Sequence, residues 1–436
     1  MLFRMPVKNG RRAMPCHSII HAFCLLTLAF GSALAHAGDK PLTLSEALSR
    51  AMAQNPGLQV FDFRLQGLDG RRITADQNPA LEAGLEVENF LGSDNLRGVD
   101  GAEYTLSLSS VLELGGKRQA RVSVVDSQYG RVEAERRAET LDLLGQATQR
   151  FVATLALQEK LQLAAEAVAL AEATHEIVTR RADRGAAPQA EVLRARAALT
   201  QSRIEQSRLR AAYESRKMAL ASLWGDTSPD FQMLEGDLFQ FGSSDNFDAL
   251  YQRVSDSPAI QIYASEQRIR EAEIQLARSQ SESDIRWQVG VRRFEETDDT
   301  ALTAGLSVPL FSGRRNRGEV QAALAARDEV RFRREDTLLR LHSRLFDAYH
   351  LRQQSIETVE QIRSQMLPDL TEALTQTREA YENGRYSYVE WTAAQRELLS
   401  AREALVDAAT TALLNQALIE QLTAQPLATV PGAPTR

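Results

Sequence analysis

Cysteine is nearly absent: the 436-residue chain has two, Cys16 and Cys24. Both fall within the first 37 residues, so the remainder can hold no disulfide, thiolate metal site or cysteine nucleophile. Aromatic residues make up 6% and glycines number 24, a poor basis for a sandwich or a dinucleotide-binding enzyme. Of six histidines only His175, His342 and His350 lie beyond residue 37. His342 and His350 would stand about 12 Å apart along a helix, too far to share a metal. Asp347 and His350 could share a helix face, but two ligands do not make a site. G-x-S-x-G, H-E-x-x-H and phosphate-loop motifs are missing. No enzyme, cofactor, bound metal or nucleic-acid partner is expected. No apolar run after residue 37 approaches the roughly 20 residues of a spanning helix.

The first 37 residues read as an export address. Arg4, Lys8, Arg11 and Arg12 precede an apolar stretch from Ile19 to Phe30, and Ala33-Leu34-Ala35 and Ala35-His36-Ala37 are small-residue cleavage signals. Cleavage after Ala37 leaves 399 residues and takes the formal charge from −7 to −11. A buried N-terminal helix is the alternative, but it would not need four cations ahead of it.

What is abundant is helix-forming sequence. Hydrophobic residues make up 43% and charged residues 25%, and Ala, Leu, Glu and Arg recur from residue 117 to 424. The stretch also repeats itself. Asn55-Pro56-Gly57-Leu58-Gln59-Val60 returns as Ser257-Pro258-Ala259-Ile260-Gln261-Ile262, an offset of 202. Ser110-Val111-Leu112 returns as Ser307-Val308-Pro309, an offset of 197, and Gly185 with Glu191 as Gly384 with Glu390, an offset of 199. One unit is therefore duplicated, over residues 38–245 and 246–424, leaving a tail at 425–436.

Each unit reads as helix, hairpin, long helix, helix: 56–78, 81–113, 117–184 and 188–224, then 258–281, 284–310, 314–383 and 387–424. Thr43-Leu44-Ser45-Glu46 carries a helix-start signal for a short helix ahead of the first unit. No proline occurs between Pro79 and Pro188, so the first long helix can run unbroken for about 100 Å. Pro368 should kink or break the second. Trp391, Ala394, Leu398, Ala401, Leu405, Ala408, Ala412, Asn415, Ile419 and Leu422 keep a 3-4 spacing, a coiled-coil seam with one polar member. Leu193, Ala197, Thr200, Ile204, Ala211 and Met218 form the corresponding stripe of the first unit. Either stripe alone would suit an ordinary core, but rods this long must bundle laterally.

The hairpins alternate in polarity. Leu81, Ala83, Leu85 and Val87 face opposite to Glu82, Glu86 and Glu88, and Tyr104, Leu106, Leu108 and Leu112 opposite to Glu103 and Glu113. Ile285, Trp287, Val289 and Val291 face opposite to Asp284, Arg286 and Arg292. Such strands suit a membrane barrel with lipid outside and water inside. A half-buried sheet of a soluble α+β domain shows the same period. Four strands are too few for a useful bore, so several protomers would each contribute theirs, with loops 92–100 and 295–300 at the tips.

The export signal, the duplicated unit and the Gly turns before the closing helices together resemble the TolC-type outer-membrane efflux ducts, over essentially the whole chain from Leu42 to Ala424. Leu112-Glu113-Leu114-Gly115-Gly116-Lys117-Arg118 looks like the strand-to-helix motif of the cobalt–zinc–cadmium efflux subgroup. The resemblance implies a mainly α fold with a small β portion. It implies a homotrimer whose 12-strand barrel sits in outer-membrane lipid and continues as a periplasmic helical barrel. A periplasmic adaptor and an inner-membrane pump of the resistance-nodulation-division type are the implied partners. Some relatives carry a lipid-bearing N-terminal cysteine; Cys24 lies in a poor context for one, so attachment would rest on the barrel.

The resemblance also implies site residues. Gly185 and Gly384 match the turns at the periplasmic tip, Glu191 and Glu390 the acidic positions that narrow the tunnel, and Tyr381 a position that links neighbouring helices. Relatives have a second acid where this chain has Ala393. Both glutamates could instead simply favour a helix dipole. Glu82, Glu86, Glu88, Glu103, Glu113 and Asp284, set against Arg286 and Arg292, are expected to face the lumen and to favour cations. Solvation of a polar face is the competing reading. The expected function is the exit duct of a tripartite efflux system for cobalt, zinc or cadmium. A multidrug duct and a periplasmic coiled-coil adaptor are the alternatives.

Overall fold

The computed structural model describes residues 41–242 and 246–424. The expected export address at 1–37 and the tail at 425–436 lie outside the described residues.

The chain opens with β1 (Leu42–Thr43), α1 (Leu44–Gln54) and α2 (Pro56–Ala75), followed by β2 (Glu82–Glu88) and β3 (Glu103–Leu112). α3 (Lys117–Asp183) and α4 (Gln189–Ala221) complete the first unit. β4 (Leu234–Glu235) and α5 (Phe247–Ser255) lead into α6 (Pro258–Ser279), β5 (Ile285–Phe294) and β6 (Thr300–Ser307). A short α7 (Ser312–Arg315), α8 (Arg317–Gln361), α9 (Leu367–Glu382) and α10 (Tyr388–Thr423) follow. Among the described residues no helix is long and apolar enough to cross a membrane.

The starts and stops have local causes. The Thr43 hydroxyl accepts from the Glu46 N–H and caps α1. Asn55 ends α1 and caps α2, its side chain accepting from Gly57 and Leu58, with Pro56 at the first helical position. α3 runs 67 residues without interruption. In its counterpart the α-helical pattern is interrupted just ahead of Pro368, where α8 passes into α9 through a five-residue π turn, Ile362–Met366. There the Leu367 N–H reaches back to the Ile362 carbonyl. The wide turn accommodates the proline, which lacks an N–H.

The four long strands form one antiparallel sheet in the order β2-β3-β5-β6. Register places Leu85, Leu106, Val291 and Leu302 in one row and Glu86, Thr105, Arg292 and Ala301 in the next. Because side chains alternate between faces, one face is apolar and the other polar. The apolar face is uncovered, with Leu302 87% exposed.

The largest core lies where α1, α3, α4 and α10 meet the segment after α4, around Phe151, Leu155, Tyr213, Leu220, Trp224 and Phe231. On α10 the seam from Trp391 to Leu422 is buried or half-buried throughout. On α4 the expected stripe is not part of this chain's core. Leu193, Ala197, Thr200, Ile204, Ala211 and Met218 are exposed, and the packed face carries Ala195, Leu199, Leu209, Tyr213 and Leu220. Two apolar stripes run along that helix, and α3 covers only one of them.

Candidate functional site

The two helix–helix turns meet at one end of the described unit. Gly185 and Gly384 adopt φ of 72° and 74°, the left-handed conformation that costs glycine little. Ala186 N–H bonds the Arg181 carbonyl and Arg385 N–H the Ala380 carbonyl, closing each turn over its helix end.

Between the turns lies an aromatic cluster built from both units. Ile177, Val178 and Ala195 come from the first, Tyr381, Tyr388 and Trp391 from the second. Trp391 stacks on Tyr381 with ring centroids 4.9 Å apart. The Tyr381 hydroxyl donates to Glu191 Oε2 at 2.8 Å. Burial, then the carboxylate acceptor, pushes the Tyr381 pKa well above the usual phenol value, so the hydroxyl stays a donor. Burial likewise raises Tyr388, with Glu191 adding to it.

Arg181 completes the arrangement and was not singled out by sequence reasoning. Its guanidinium lies 4.8 Å over the Tyr381 ring. It donates to the Glu382 carbonyl at 2.5 Å and the Ala186 carbonyl at 3.2 Å. One cation thus ties the two turns together. A pair of arginines just before a C-terminal glycine was the available signal, but it reads equally well as a helix-dipole partner.

Glu390 sits differently from Glu191. It is the third residue of α10 and forms a capping box, Oε2 accepting from the Ser387 N–H at 2.7 Å and the Ser387 hydroxyl at 2.8 Å. The Ser387 N–H, then its hydroxyl, holds the carboxyl below its ordinary pKa. Glu390 therefore stays charged, while one of its oxygens is engaged in holding the helix start.

The polar face of the sheet is less acidic than its residue count suggests. Arg292 bonds Glu88 and Glu103, each at 2.8 Å, and the buried Thr105 hydroxyl at 2.9 Å. Arg286 approaches Glu82 at 4.0 Å. Glu86 has no ion pair among the described residues. Glu113 and Asp284, expected on the strand face, lie just beyond β3 and just before β5. Arg121 holds Glu113 through two bonds, at 2.5 and 2.9 Å, and also reaches the Ala75 and Gln77 carbonyls.

Asp284 pairs with the buried Lys117 at 2.6 Å. Lys117 also donates to the Glu282 carbonyl at 2.8 Å, and Asp284 accepts from the Leu114 N–H. Gly115 fits here at φ 72° because a Cβ would stand 2.7 Å from the Glu282 side chain. The Leu112–Arg118 motif is thus a charged joint between the first unit and the strand entry of the second. Its counterpart in the second unit uses neutral bonds: Ser283 to the Pro309 carbonyl, and Asn316 to the Ala277 carbonyl and Ser281.

The profile of the family described as outer membrane efflux protein matches residues 47–226 and again 249–425. The chain is 25% identical over 362 residues to the cobalt-zinc-cadmium resistance protein CzcC of Cupriavidus metallidurans, covering 83% of this chain and 85% of that one. It is 28% identical over 311 residues to the nickel and cobalt resistance protein CnrC of the same organism, covering 69% and 72%. Among solved structures, CusC, described as undergoing transmembrane channel formation, superposes with a TM-score of 0.72 at 18% identity, covering 87% and 91%. The outer-membrane channel OprN also gives a TM-score of 0.72 at 18% identity, covering 88% and 90%.

Proposed function

Because the chain belongs to the outer membrane efflux protein family, we propose that it is the outer-membrane exit duct of a tripartite efflux system whose cargo is divalent heavy-metal cations. The observation that carries this is the uncovered apolar face of the four-stranded sheet, opposite a polar face. A two-faced sheet of this kind is stable where one side meets lipid and the other water. One chain's four strands cannot close a bore, and three copies would supply twelve. The long helices would then continue the barrel as a periplasmic tunnel, ending at the Glu191–Tyr381–Arg181 cluster and Glu390. A periplasmic adaptor would contact the tunnel, and an inner-membrane pump would supply the energy.

The cargo assignment rests on the relatives named for cobalt, zinc, cadmium and nickel resistance. The paired carboxylates of the sheet lend it little, since Arg292 alone engages two of them. Deleting the gene and ranking growth inhibition by zinc, cobalt, cadmium and lipophilic drugs tests the assignment. Greater sensitivity to the metals is expected; sensitivity to drugs alone would make it a multidrug duct.

A further inference from the structure

The largest core is incompletely filled beneath the segment that follows β4. A cavity of about 390 Å³ lies there, between α3, α10 and residues 236–242. Phe151 and Leu155 of α3, Leu413 and Ala417 of α10 and Phe241 of the segment supply its apolar walls. Gly236 lets the segment approach α3 this closely, since a Cβ would stand 2.9 Å from Leu155 Cδ2. The size falls within the range of about 300–1,000 Å³ that holds small organic ligands.

One corner is polar, and its hydrogen bonds do not close. Gln416 Nε2 donates to Glu420. A carboxylate only accepts, so this bond fixes which way the amide points. Gln416 Oε1 is buried and has no hydrogen-bond partner among the described residues. The Thr148 hydroxyl, also at the cavity, is engaged with the Leu144 carbonyl. A buried acceptor without a donor is destabilising. At the wall of a cavity it marks the place for a ligand N–H or O–H.

The same corner is acidic. Asp237 and Glu420 line it, and among the described residues no lysine or arginine does. Arg352, outside the lining, donates to the Gly242 carbonyl, and its charge faces Glu420. Asp237 has no such cation: one oxygen accepts from the Phe239 N–H, and it makes no ion pair among the described residues. Its field reaches Glu159 on α3, whose carboxyl is held above its ordinary range by burial first and by Asp237 second.

We propose that this cavity is a binding site for an organic ammonium ion with an apolar body. The body lies against Phe151, Leu155, Leu413 and Phe241, one N–H donates to Gln416 Oε1, and the charge faces Asp237. Every group involved belongs to one chain, and none to the four-stranded sheet or to the Tyr381–Glu191 cluster, so the site does not depend on the duct reading.

Calorimetry on the detergent-extracted protein tests this. The probe is naphthylmethylamine, with naphthylmethanol and naphthoate as its neutral and anionic counterparts, all dissolved in the same nonionic micelles. The amine should give saturable heat and bind about tenfold more tightly than the alcohol; naphthoate should give none. Asp237→Asn, at an exposed side chain, should bring the amine down toward the alcohol and leave the alcohol unchanged. Leu413→Trp should fill the space and remove both, with the melting temperature as the check on folding. Equal affinity for amine and alcohol, tighter binding of naphthoate, or an amine affinity unmoved by Asp237→Asn would each overturn the proposal. So would amine binding undiminished in a folded Leu413→Trp protein. A wild-type protein giving no saturable heat would overturn it too, and would leave the duct reading standing.

Discussion

The Tyr381 hydroxyl donates to Glu191 Oε2 at 2.8 Å across a sequence separation of 190 positions. It is a direct side-chain bond between the tips of the two units, with Arg181 stacked over the same ring. A buried donor and a carboxylate acceptor make this a strong hydrogen bond, since the acceptor is charged.

Tyr381→Phe keeps the stacking on Trp391 and removes only the bond. The expected cost is about 1.5–3 kcal/mol for a hydrogen bond to a charged group. In planar-bilayer recordings leak conductance should rise as the tip loosens. Leak equal to wild type would detach this bond from closure.

Glu390 requires two substitutions, because it is both charge and cap. Glu390→Ala loses the capping box together with the charge. Glu390→Gln removes the charge but retains an oxygen for the Ser387 N–H. If the carboxylate biases permeation, cation selectivity in bilayers falls in both variants. Selectivity unchanged in a Glu191→Gln, Glu390→Gln double variant would leave the aperture assignment without support.

The same carboxyl gives a pH dependence. Its folded pKa is depressed by Ser387, so its contribution is fully present above the ordinary carboxylate pKa, about 4.3, and fades as pH falls through the lower folded value. Amides in the first turn of α10 should therefore lose protection, after correction for intrinsic exchange, as the protein is acidified below about pH 4. Ser387→Ala should flatten that response. A response of equal size in the alanine variant would place its origin elsewhere.

Lys117→Met leaves Asp284 without its cation at the joint. Breaking a buried pair costs about 3–5 kcal/mol, and the partial exposure of Asp284 reduces this to about 2–3. Lys117→Met with Asp284→Asn should cost less than the two single changes together, as read from thermal unfolding in detergent. Additive losses would mean that the two groups do not stabilise each other.

Much of this was legible in the sequence, for reasons that can be named. The repeat landmarks are glycines, prolines and alternating strands, which act locally, so the order of elements and most of their ends could be read directly. The α4 stripe could not be placed from its spacing, because an uncovered seam and a core seam have the same period; only the neighbouring α3 decides which is buried. The Arg181–Tyr381–Glu191 set could not be derived from spacing, since it joins positions about 200 apart. Sequence likeness tied the Leu112–Arg118 motif to a metal-efflux subgroup, but not its use in the fold, where Glu113 pairs with Arg121, Lys117 with Asp284 and Arg118 with Asp76. Nothing in a run of charges announces which of them will find partners after folding.

The wide π turn at Ile362–Met366 accounts for a small irregularity in the duplication. The strand–helix corners are 197 positions apart, but the tip glycines are 199 apart. The second copy thus holds two more residues than the first over the same path, and one is what a π turn takes in without lengthening the rod. The interval also contains the step at Asn316, where α7 gives way to α8. The turn works as a slack loop in a measured cord. It stores surplus chain midway, so that Tyr381 arrives in phase with Glu191 although the two copies are no longer the same length.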